Sequence, residues 1–263
     1  MNPALNIATN AARNAARIIN YASNNRSNIR VERKGRKDFV TEVDRNAESE
    51  IISTIKKHYP HHSILAEESG EKLSDLNNSN NQYKWIIDPL DGTTNFIHGF
   101  PQYAVSIGFY QNGVGEVGVI YDPGRNELFT AVRGSGSMLD QKRIRVSSQA
   151  NLADALIGTG FPFRNTTHLK QYIKQMEVVM KGSAGIRRAG SAALDLAYLA
   201  AGRLDGFWEY NLSLWDIAAG VLIIKEAGGI VSEPDGNKKY IDSGNVLAAN
   251  AKLHEQLIDI LNC

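Results

Sequence analysis

Cysteine is almost absent from this sequence, because the one example, Cys263, is the last residue. A single cysteine excludes a disulfide within the chain, and a reducing compartment suits such a chain best. Long apolar runs are also missing, since no stretch approaches the ~18 uninterrupted apolar residues of a membrane span. The N-terminal residues lack the apolar core of a secretory signal. We therefore predict a cytoplasmic protein that does not bind a membrane.

An excess of either charge is missing too. The 29 Lys and Arg residues and the 28 Asp and Glu residues give a formal net charge of +1. Such a chain has no overall field that would attract it to nucleic acid, so strong direct binding of RNA or DNA is not expected. Three histidines, His58, His61 and His62, flank Pro60 without the spacing of metal ligands, and we predict that they lie at the surface.

The chain does contain enough apolar material for a large core, since 43% of its 263 residues are hydrophobic. Helical periodicity predicts helices over about residues 3–24, 41–59, 167–181, 191–202 and 214–229, with a closing helix at the C-terminus. Apolar runs predict strands over about residues 63–69 and 84–88. Short alternating runs from about residue 103 to 146 predict a mostly antiparallel sheet with a hairpin at Asn112-Gly113. The pattern changes near residue 150, and we predict a single domain, 1–263, of two packed lobes that meet there.

The most informative stretch is WIIDPLDGTTNF, residues 85–96. Its apolar run predicts a buried strand that ends at Asp88, and Pro89 restricts Asp88 to an extended conformation. A turn after this strand would bring Asp91 beside Asp88, with the Leu90 carbonyl between them. At ~4 Å two carboxylates repel by about 4 kcal/mol at an effective dielectric near 20, so we expect a cation there. Oxygen ligands of this kind suit Mg²⁺.

The residues after Asp91 add the features of an anion site. Gly92 permits close backbone approach, and the first N–H groups of a short helix that starts at Thr93 would bind an anion. A threonine hydroxyl beside a metal can also orient a water. A metal site next to an anion-binding turn predicts phosphate chemistry. The alternative is a turn whose aspartates only cap the next helix, which accounts for one aspartate but not for both.

Two further acids stand out by their context. Asp216 lies in the apolar run LWDIAAGVLII, where an unpaired carboxylate would be costly, so a ligand role is favoured over that of an ordinary first-turn acid. Thr41 and Asp44 form a helix-capping signature, and helix starts favour carboxylates.

Several motifs, in their order along the chain, resemble those of one family. AEES (66–69), DPLDGTTNF (88–96) and WDIAAG (215–220) are similar to the motifs of the inositol monophosphatase family of Mg²⁺-dependent, Li⁺-sensitive phosphatases. DFVTEVD (38–44), GTGFPFR (158–164), the run 187–209 and KEAGG (225–229) most resemble its bacterial, SuhB-like branch. The resemblance extends over essentially the whole chain. It implies an α/β fold, a layered αβαβα sandwich, and a homodimer.

The resemblance also implies a set of metal ligands. By motif these are Glu67, Asp88, the Leu90 carbonyl, Asp91 and Asp216. The four carboxylates carry about −4 and a phosphomonoester about −2, so two to three Mg²⁺ ions would bring the site near neutrality, and Li⁺ is the expected inhibitor.

The same resemblance assigns roles in catalysis and substrate binding. Thr93 and Glu67 would hold the attacking water, and Asp44 would support the site. Asp91 would help to protonate the leaving alkoxide through a second water, without a phosphoenzyme. On the substrate side the resemblance implies Gly92, Thr93, Gly190, Ser191, Ala192, Glu209 and Asp216. Lys34 falls near a basic residue of the family, but the other basic residues of the run 26–37 leave its role unassigned. Two readings of this run stay open: a solvated loop, or a segment that leans over the phosphate.

The predicted function is a Mg²⁺-dependent phosphomonoesterase that hydrolyses myo-inositol 1-phosphate or a related polyol phosphate by in-line attack of water. Two alternatives share the metal motif: a fructose-1,6-bisphosphatase and a 3′-phosphonucleotide phosphatase. A third belongs to another class, a binding partner of the transcription or RNA machinery with a secondary phosphatase activity. The basic run motivates this third reading, and a protein-mediated version of it stays open.

Overall fold

The computed structural model describes residues 2–25, 30–35, 38–72, 82–163 and 165–262. Half of the basic run 26–37 lies outside the described residues, as do the Lys34 side chain, Arg164 and Cys263. The predictions made for these residues therefore stay predictions.

Helices and strands alternate along the described chain. The first part contains α1 (Pro3–Ser23), β1 (Val31–Gly35), β2 (Asp38–Thr41), α2 (Glu42–His58), β3 (Ser63–Ala66), β4 (Gly70–Lys72), β5 (Tyr83–Asp91), α3 (Thr93–His98), β6 (Ala104–Gln111), β7 (Val114–Asp122), β8 (Glu127–Val132), β9 (Gly136–Leu139) and β10 (Lys142–Ile144). The second part contains β11 (Leu156–Thr159), α4 (Leu169–Gly182), β12 (Gly185–Arg187), α5 (Ala192–Ala200), β13 (Gly206–Glu209), α6 (Leu214–Glu226), β14 (Ile230–Ser232), α7 (Tyr240–Ser243), β15 (Val246–Ala249) and α8 (Ala251–Leu261). The helices predicted from periodicity are confirmed, while the strand predicted over 63–69 ends earlier, at Ala66.

Two large sheets carry most of the strands. The first has eight strands in the order β10-β9-β8-β7-β6-β5-β3-β4, and only β3 and β5 run parallel. The antiparallel run from β6 to β10 confirms the sheet predicted for residues 103–146. Its first hairpin turns at Asn112 and Gly113, whose φ angles of 52° and 77° are the left-handed values that a two-residue turn needs. The second sheet has the order β12-β11-β13-β15-β14 and mixes parallel and antiparallel pairs.

Helices cover both faces of these sheets in five layers. Helices α1 and α2 pack on one face of the eight-stranded sheet, and α5 and α6 lie between the two sheets. Helices α4 and α8 cover the outer face of the five-stranded sheet. The result is a mixed α/β fold in layers, as expected for elements that each bury one apolar face.

Helix α6 sits unusually close to the eight-stranded sheet, and this closeness positions the site described below. Its residues from Ile217 to Ile224 are all buried, as expected for a helix covered on every side. Glycines in the sheet make room for it, because a Cβ at Gly118 would lie 2.7 Å from the Ala219 carbonyl oxygen. The Ser106 hydroxyl also donates to the Trp215 carbonyl across 3.3 Å. The first turn of α6 is thereby held against the end of β5.

One of the three histidines departs from the surface position predicted for it. His58 and His61 are exposed, but the His62 ring is half-buried and stacks against Tyr59 at 4.6 Å and Tyr83 at 4.8 Å. The indole N–H of Trp85 donates to its Nδ1 across 3.0 Å. Burial, followed by the nearby positive charges, lowers the pKa of His62. Sequence spacing excluded a metal site here but did not predict the aromatic cluster.

Within the described ranges, none of the helices combines the length and the apolar character needed to cross a bilayer.

The lowered pKa of His62 predicts a pH-dependent contribution to stability. The neutral ring is the form favoured by the fold, so its contribution is present above the ordinary histidine pKa of about 6.5 and is lost as the pH falls. Protonation would also leave the buried Trp85 N–H without an acceptor, at a cost of about 1–3 kcal/mol. We expect His62→Phe, which keeps an aromatic ring, to be less stable than wild type near neutral pH, with the difference shrinking toward about pH 5.5.

Urea unfolding of both proteins across this pH range would measure the difference. His58→Gln, at an exposed position four residues earlier, is the control and should follow the wild-type pH dependence. A gap between wild type and His62→Phe that stays constant with pH would contradict the prediction.

Candidate active site

A cavity of about 460 Å³ opens where the end of β5 meets the first turns of α3, α5 and α6. It is lined by residues from five separate segments of the chain. They include Glu67, Asp88, Leu90, Asp91, Gly92, Thr93, Asn95, Gly160, Phe161, Arg188, Gly190, Ser191, Ala192, Asp195, Glu209 and Asp216. Every residue predicted for the site is therefore at this cavity except Asp44, which lies behind Thr93.

A second cavity of about 490 Å³ lies between Phe161, Phe163 and helix α4. Its lining is almost entirely apolar, with Glu177 and Lys181 as its charged members. These two pair with each other as i, i+4 neighbours, so the groove presents no cluster of groups that could do chemistry. The first cavity is the candidate active site.

Three aspartates form the centre of that site. Asp88, Asp91 and Asp216 each offer a carboxylate oxygen, and these oxygens all lie within 4.8 Å of one another. Asp88 and Asp91 come from β5, and Asp216 comes from the first turn of α6. An all-oxygen set of this kind fits a hard divalent cation.

A bulge in β5 allows both of its aspartates to reach the cavity. Residues three apart in a regular strand point to opposite faces of the sheet. Here Asp88 pairs with Ser106 and Asp91 pairs with Ala104, so β5 has one residue more than its partner β6 between these two pairs. The extra residue returns Asp91 to the face that carries Asp88. The prediction of a strand that ends at Asp88 was wrong, because the strand continues through the bulge to Asp91.

Hydrogen bonds orient each of the three carboxylates. The Leu90 N–H donates to Asp88 Oδ1 at 2.9 Å. Asp91 Oδ2 accepts from the Ser191 hydroxyl at 2.6 Å and from the Ala193 N–H at 2.7 Å, which places it at the N-terminus of α5. Asp216 Oδ2 accepts from the Ser213 N–H at 2.7 Å. Asp216 is thus both a first-turn acid that caps α6 and a member of the cluster, so the two roles weighed from the sequence are compatible.

The cluster is electrostatically strained without a cation. Burial raises the pKa of Asp88 well above its ordinary value, and the charges of Glu67, Asp91 and Asp216 raise it further. Burial, followed by the charges of Asp91 and Glu67, does the same to the pKa of Asp216. At 4–5 Å each pair of carboxylates repels by about 3–4 kcal/mol at an effective dielectric near 20. A bound divalent cation would remove this repulsion.

Glu67 stands slightly apart from the three aspartates. It follows β3, and its backbone N–H donates to the Ile87 carbonyl at 3.1 Å, which ties the turn to β5. It lines the cavity and acts on the pKa of Asp88, but it does not belong to the set of oxygens that lie within 4.8 Å. The structure therefore places Glu67 at the rim of the cluster.

Thr93 and Asp44 form a fixed pair beside the cluster. The Thr93 hydroxyl lies 2.9 Å from Asp44 Oδ1 and 3.1 Å from the Leu90 carbonyl oxygen. The hydroxyl has one proton, which goes to one of these two acceptors, so toward the cavity it can only accept. The other oxygen of Asp44 accepts from the backbone N–H of Thr41, as part of the capping box of α2. Asp44 therefore caps a helix and supports Thr93 at the same time.

Asn95 connects the aspartate turn to the loop that precedes α5. Its side-chain amide lies 2.7 Å from the Gln102 carbonyl and 2.9 Å from that of Ala189. Gly190 in this loop has a φ of 91°, and a Cβ there would lie 3.0 Å from the Asn95 amide nitrogen. The loop predicted to meet the substrate is thus held against α3.

Glu209 reaches the cavity because residue 160 is a glycine. A Cβ at Gly160 would lie 1.8 Å from Glu209 Oε1, so any other residue would displace this carboxylate. Glu209 is close enough to contribute to the raised pKa of Asp216. The contact between Gly160 and Glu209 therefore brings the GTGFPFR segment and Glu209 to the same cavity, although they are distant in sequence.

Several residues of the cavity wall were not predicted from the sequence, among them the polar residues Asn95, Arg188 and Asp195. Asp195 could have been found by the argument that was applied to Asp216, since it is a single acid within the apolar run SAALDLAYLAAG. Arg188 directly precedes the Ala189–Gly190 loop, and its guanidinium lies 5.2 Å from the Phe161 ring centre and 5.0 Å from that of Phe163. Nothing in the local sequence indicates those contacts.

Comparison with known proteins identifies the family and the fold of the chain. The model of the inositol monophosphatase family matches residues 1–263. The chain is 48% identical over 260 residues to the Nus factor SuhB of Pseudomonas aeruginosa, covering 98% of this chain and 95% of that protein. It superposes on the extragenic suppressor protein suhB from Bartonella henselae with a TM-score of 0.95 and 42% identity, covering 99% and 98% of the two chains. For inositol monophosphatase from Anabaena the TM-score is 0.84 at 39% identity, covering 98% and 94%.

The repulsion among the aspartates predicts a gain in stability when one of them is neutralised. In the absence of divalent cations, we expect the free energy of unfolding of Asp88→Asn to exceed that of wild type by about 1–3 kcal/mol. The variant should therefore unfold at a higher temperature. A raised pKa in the folded state means that wild-type stability is lost as the pH rises through that pKa, and the variant should lack this loss. Added Mg²⁺ should stabilise wild type but not Asp88→Asn.

Thermal unfolding in EDTA and in excess Mg²⁺ would measure both effects. Asp122→Asn is a matched control, because Asp122 is buried but accepts from the Arg125 guanidinium at 2.9 Å, away from the cavity. The control should lose stability and keep the Mg²⁺ response. An equal Mg²⁺ response in Asp88→Asn would contradict a cation site at this cluster.

Proposed function

The chain belongs to the inositol monophosphatase family, and on that basis we propose that it is a Mg²⁺-dependent phosphomonoesterase. Its proposed substrate is myo-inositol 1-phosphate or a related polyol phosphate, which it hydrolyses to the alcohol and phosphate. The observation that carries the proposal is the cluster of Asp88, Asp91 and Asp216 beside the oriented Thr93 hydroxyl in one cavity.

The donor set fits Mg²⁺, because every candidate ligand is an oxygen and the carboxylates are crowded. The residues that would hold the metal are Glu67, Asp88, the Leu90 carbonyl, Asp91 and Asp216. When bound, Mg²⁺ would supply the charge stabilisation that an in-line phosphoryl displacement requires and would make water a better nucleophile. Two to three ions would balance about −4 from the carboxylates and about −2 from the substrate.

Thr93 and Glu67 are proposed to orient the attacking water. The Thr93 proton is committed to Asp44 or to the Leu90 carbonyl, so its hydroxyl can accept a hydrogen bond from a cavity water. Glu67 lines the same cavity and can accept a hydrogen bond from the second O–H of that water. Asp44 acts through Thr93 and is a positioning residue in this proposal.

Asp91 is proposed to serve the leaving group. The Ser191 hydroxyl and the Ala193 N–H hold one of its oxygens, which fixes the direction of the carboxylate. A water on Asp91 would then pass a proton to the departing alkoxide. No covalent enzyme intermediate is part of the proposal.

The alcohol part of the substrate is proposed to lie between Glu209 and the Gly190–Ala192 loop, both of which line the cavity. A carboxylate such as Glu209 accepts hydrogen bonds from hydroxyl groups, which favours a polyol. Fructose 1,6-bisphosphate and a 3′-phosphonucleotide remain the alternatives within the same superfamily.

Phosphate release from a small substrate panel tests the proposal. The panel contains inositol 1-phosphate, fructose 1,6-bisphosphate and 3′-phosphoadenosine phosphate, each with Mg²⁺, with EDTA, and with Mg²⁺ and Li⁺ together. We expect Mg²⁺-dependent, Li⁺-inhibited release, fastest from inositol 1-phosphate. A preference for another member would replace the substrate and keep the metal chemistry, whereas no release from any member would refute the enzymatic proposal.

Substitution of the acids should separate cavity residues from their neighbours. We expect Asp91→Asn and Glu67→Gln to lower kcat by about 10³-fold or more, since each removes a charged group from the reacting centre. Glu68→Gln is the matched control: Glu68 is adjacent in sequence but is not among the residues that line the cavity. Steady-state kinetics with circular dichroism spectra of each variant would measure this, and full activity in Asp91→Asn would falsify the assignment.

A second function in transcription is supported by the name Nus factor SuhB carried by the Pseudomonas aeruginosa relative. The version that fits this chain is mediated by protein contacts, because its net charge of +1 argues against strong direct RNA binding. The Asp91→Asn protein distinguishes the two functions, since a transcription role that depends on protein contacts should persist in it. The homodimer and the cytoplasmic location stay predictions.

A further inference from the structure

Asp195 is a buried acid in the wall of the active-site cavity that the proposed mechanism does not use. It lies in the first turn of α5, one helical turn after Ser191, and only 2% of its surface is exposed. The small exposed surface faces the cavity that it lines. In sequence it directly follows the Gly190–Ala192 loop, which lines the same cavity and is proposed to meet the alcohol.

Among the buried acids that the structure describes, the Asp195 carboxyl differs in accepting no hydrogen bond from a described residue. Four of these, Asp44, Glu48, Asp88 and Asp122, each accept at least one N–H hydrogen bond. No described residue donates a hydrogen bond to Asp195, and only burial and the charges of Asp91 and Arg188 act on its pKa. A buried polar group without a hydrogen-bond partner destabilises the fold, so a partner from outside the protein is expected.

The surroundings of Asp195 indicate what that partner is. Asp195 does not belong to the set of acids whose oxygens converge within 4.8 Å. It therefore lacks the neighbouring carboxylate oxygens that a cation site needs. Asp195 is 2% exposed, lines the cavity and accepts no hydrogen bond from a described residue, so its carboxyl can bond a group that enters the cavity. Such a carboxyl is best satisfied by a neutral group that can both donate and accept a hydrogen bond. A hydroxyl group has this property.

We propose that the Asp195 carboxyl forms a hydrogen bond with a hydroxyl group of the substrate alcohol. In this arrangement the enzyme selects phosphate esters of polyols over esters of alcohols that have no second hydroxyl. A site built to bond a hydroxyl discriminates against analogues that lack it, because the buried polar group is then left unpaired. The inference rests on the proposed phosphatase function and specifies its substrate class.

The test compares two esters in wild type, Asp195→Leu and Asp195→Asn. One ester is inositol 1-phosphate, and the other is phenyl phosphate, whose alcohol has no second hydroxyl. The selectivity is the kcat/KM for inositol 1-phosphate divided by the kcat/KM for phenyl phosphate. We expect this ratio to fall about fivefold to tenfold in Asp195→Leu, mainly because KM for inositol 1-phosphate rises. Asp195→Asn keeps a donor and an acceptor, so the ratio should fall by no more than about twofold.

A stability measurement separates this role from a structural one. Because no described residue donates to the Asp195 carboxyl, Asp195→Leu should unfold at the same temperature as wild type or higher. Asp122→Leu is the matched control: Asp122 is equally buried but accepts from the Arg125 backbone N–H and guanidinium, so its replacement should lower the unfolding temperature.

The outcomes distinguish the inference from the function on which it rests. An unchanged ratio in an active, stable Asp195→Leu protein would overturn the inference and leave the phosphatase proposal intact. Equal losses for both esters would also overturn it, since they would indicate an effect through Asp91. Wild-type protein that hydrolyses neither ester with Mg²⁺ would overturn the proposed function and the inference with it.

Discussion

Repulsion among three carboxylates is the constraint on which the rest of this site depends. Carboxylate oxygens of Asp88, Asp91 and Asp216 lie within 4.8 Å of one another, and burial, followed by the charges of neighbouring acids, raises the pKa values of Asp88 and Asp216. Such an arrangement is unfavourable in itself, and it persists only where the surrounding structure holds the groups in place. The bulge in β5, the glycine contacts under α6 and the N-terminus of α5 all act in this way. Each brings a carboxylate nearer to the others than the free side chains would come.

The layered fold explains how distant segments meet at this cavity. Helices α5 and α6 lie between the two sheets, and their first turns converge on the end of β5. Two of the aspartates accept hydrogen bonds from the first turns of these helices, which places negative charge where the helix dipole favours it. The same bonds satisfy N–H groups that have no partner within a helix. Helix capping and the assembly of the site are thus one set of contacts.

Polar groups around the cluster are bonded by described residues in most cases, whereas no described residue donates to Asp195. Asp44 accepts from Thr41 and Thr93, and Asn95 bonds the loop before α5, so both serve to hold other residues. Asp195 accepts from no described residue, although it is as buried as Asp44. A polar group that a fold buries without a partner costs stability, and such costs are concentrated at functional sites. This contrast is the physical basis for assigning Asp195 to the substrate.

Local spacing in the sequence was sufficient to predict the helices, the hairpin at Asn112-Gly113 and the approach of Asp88 and Asp91 in DPLDGTT, because each depends on neighbours a few residues apart. The resemblance of the motifs predicted the family and the layered fold, and the comparisons confirm both. Only the tertiary structure decided that β5 continues through a bulge to Asp91, that Gly160 makes room for Glu209, and that His62 is stacked among aromatic rings. It also placed Asp195 in the cavity wall, where no described residue donates a hydrogen bond to it. These features depend on which strands and helices pack together across long sequence separations, and no local pattern of residue types records that packing.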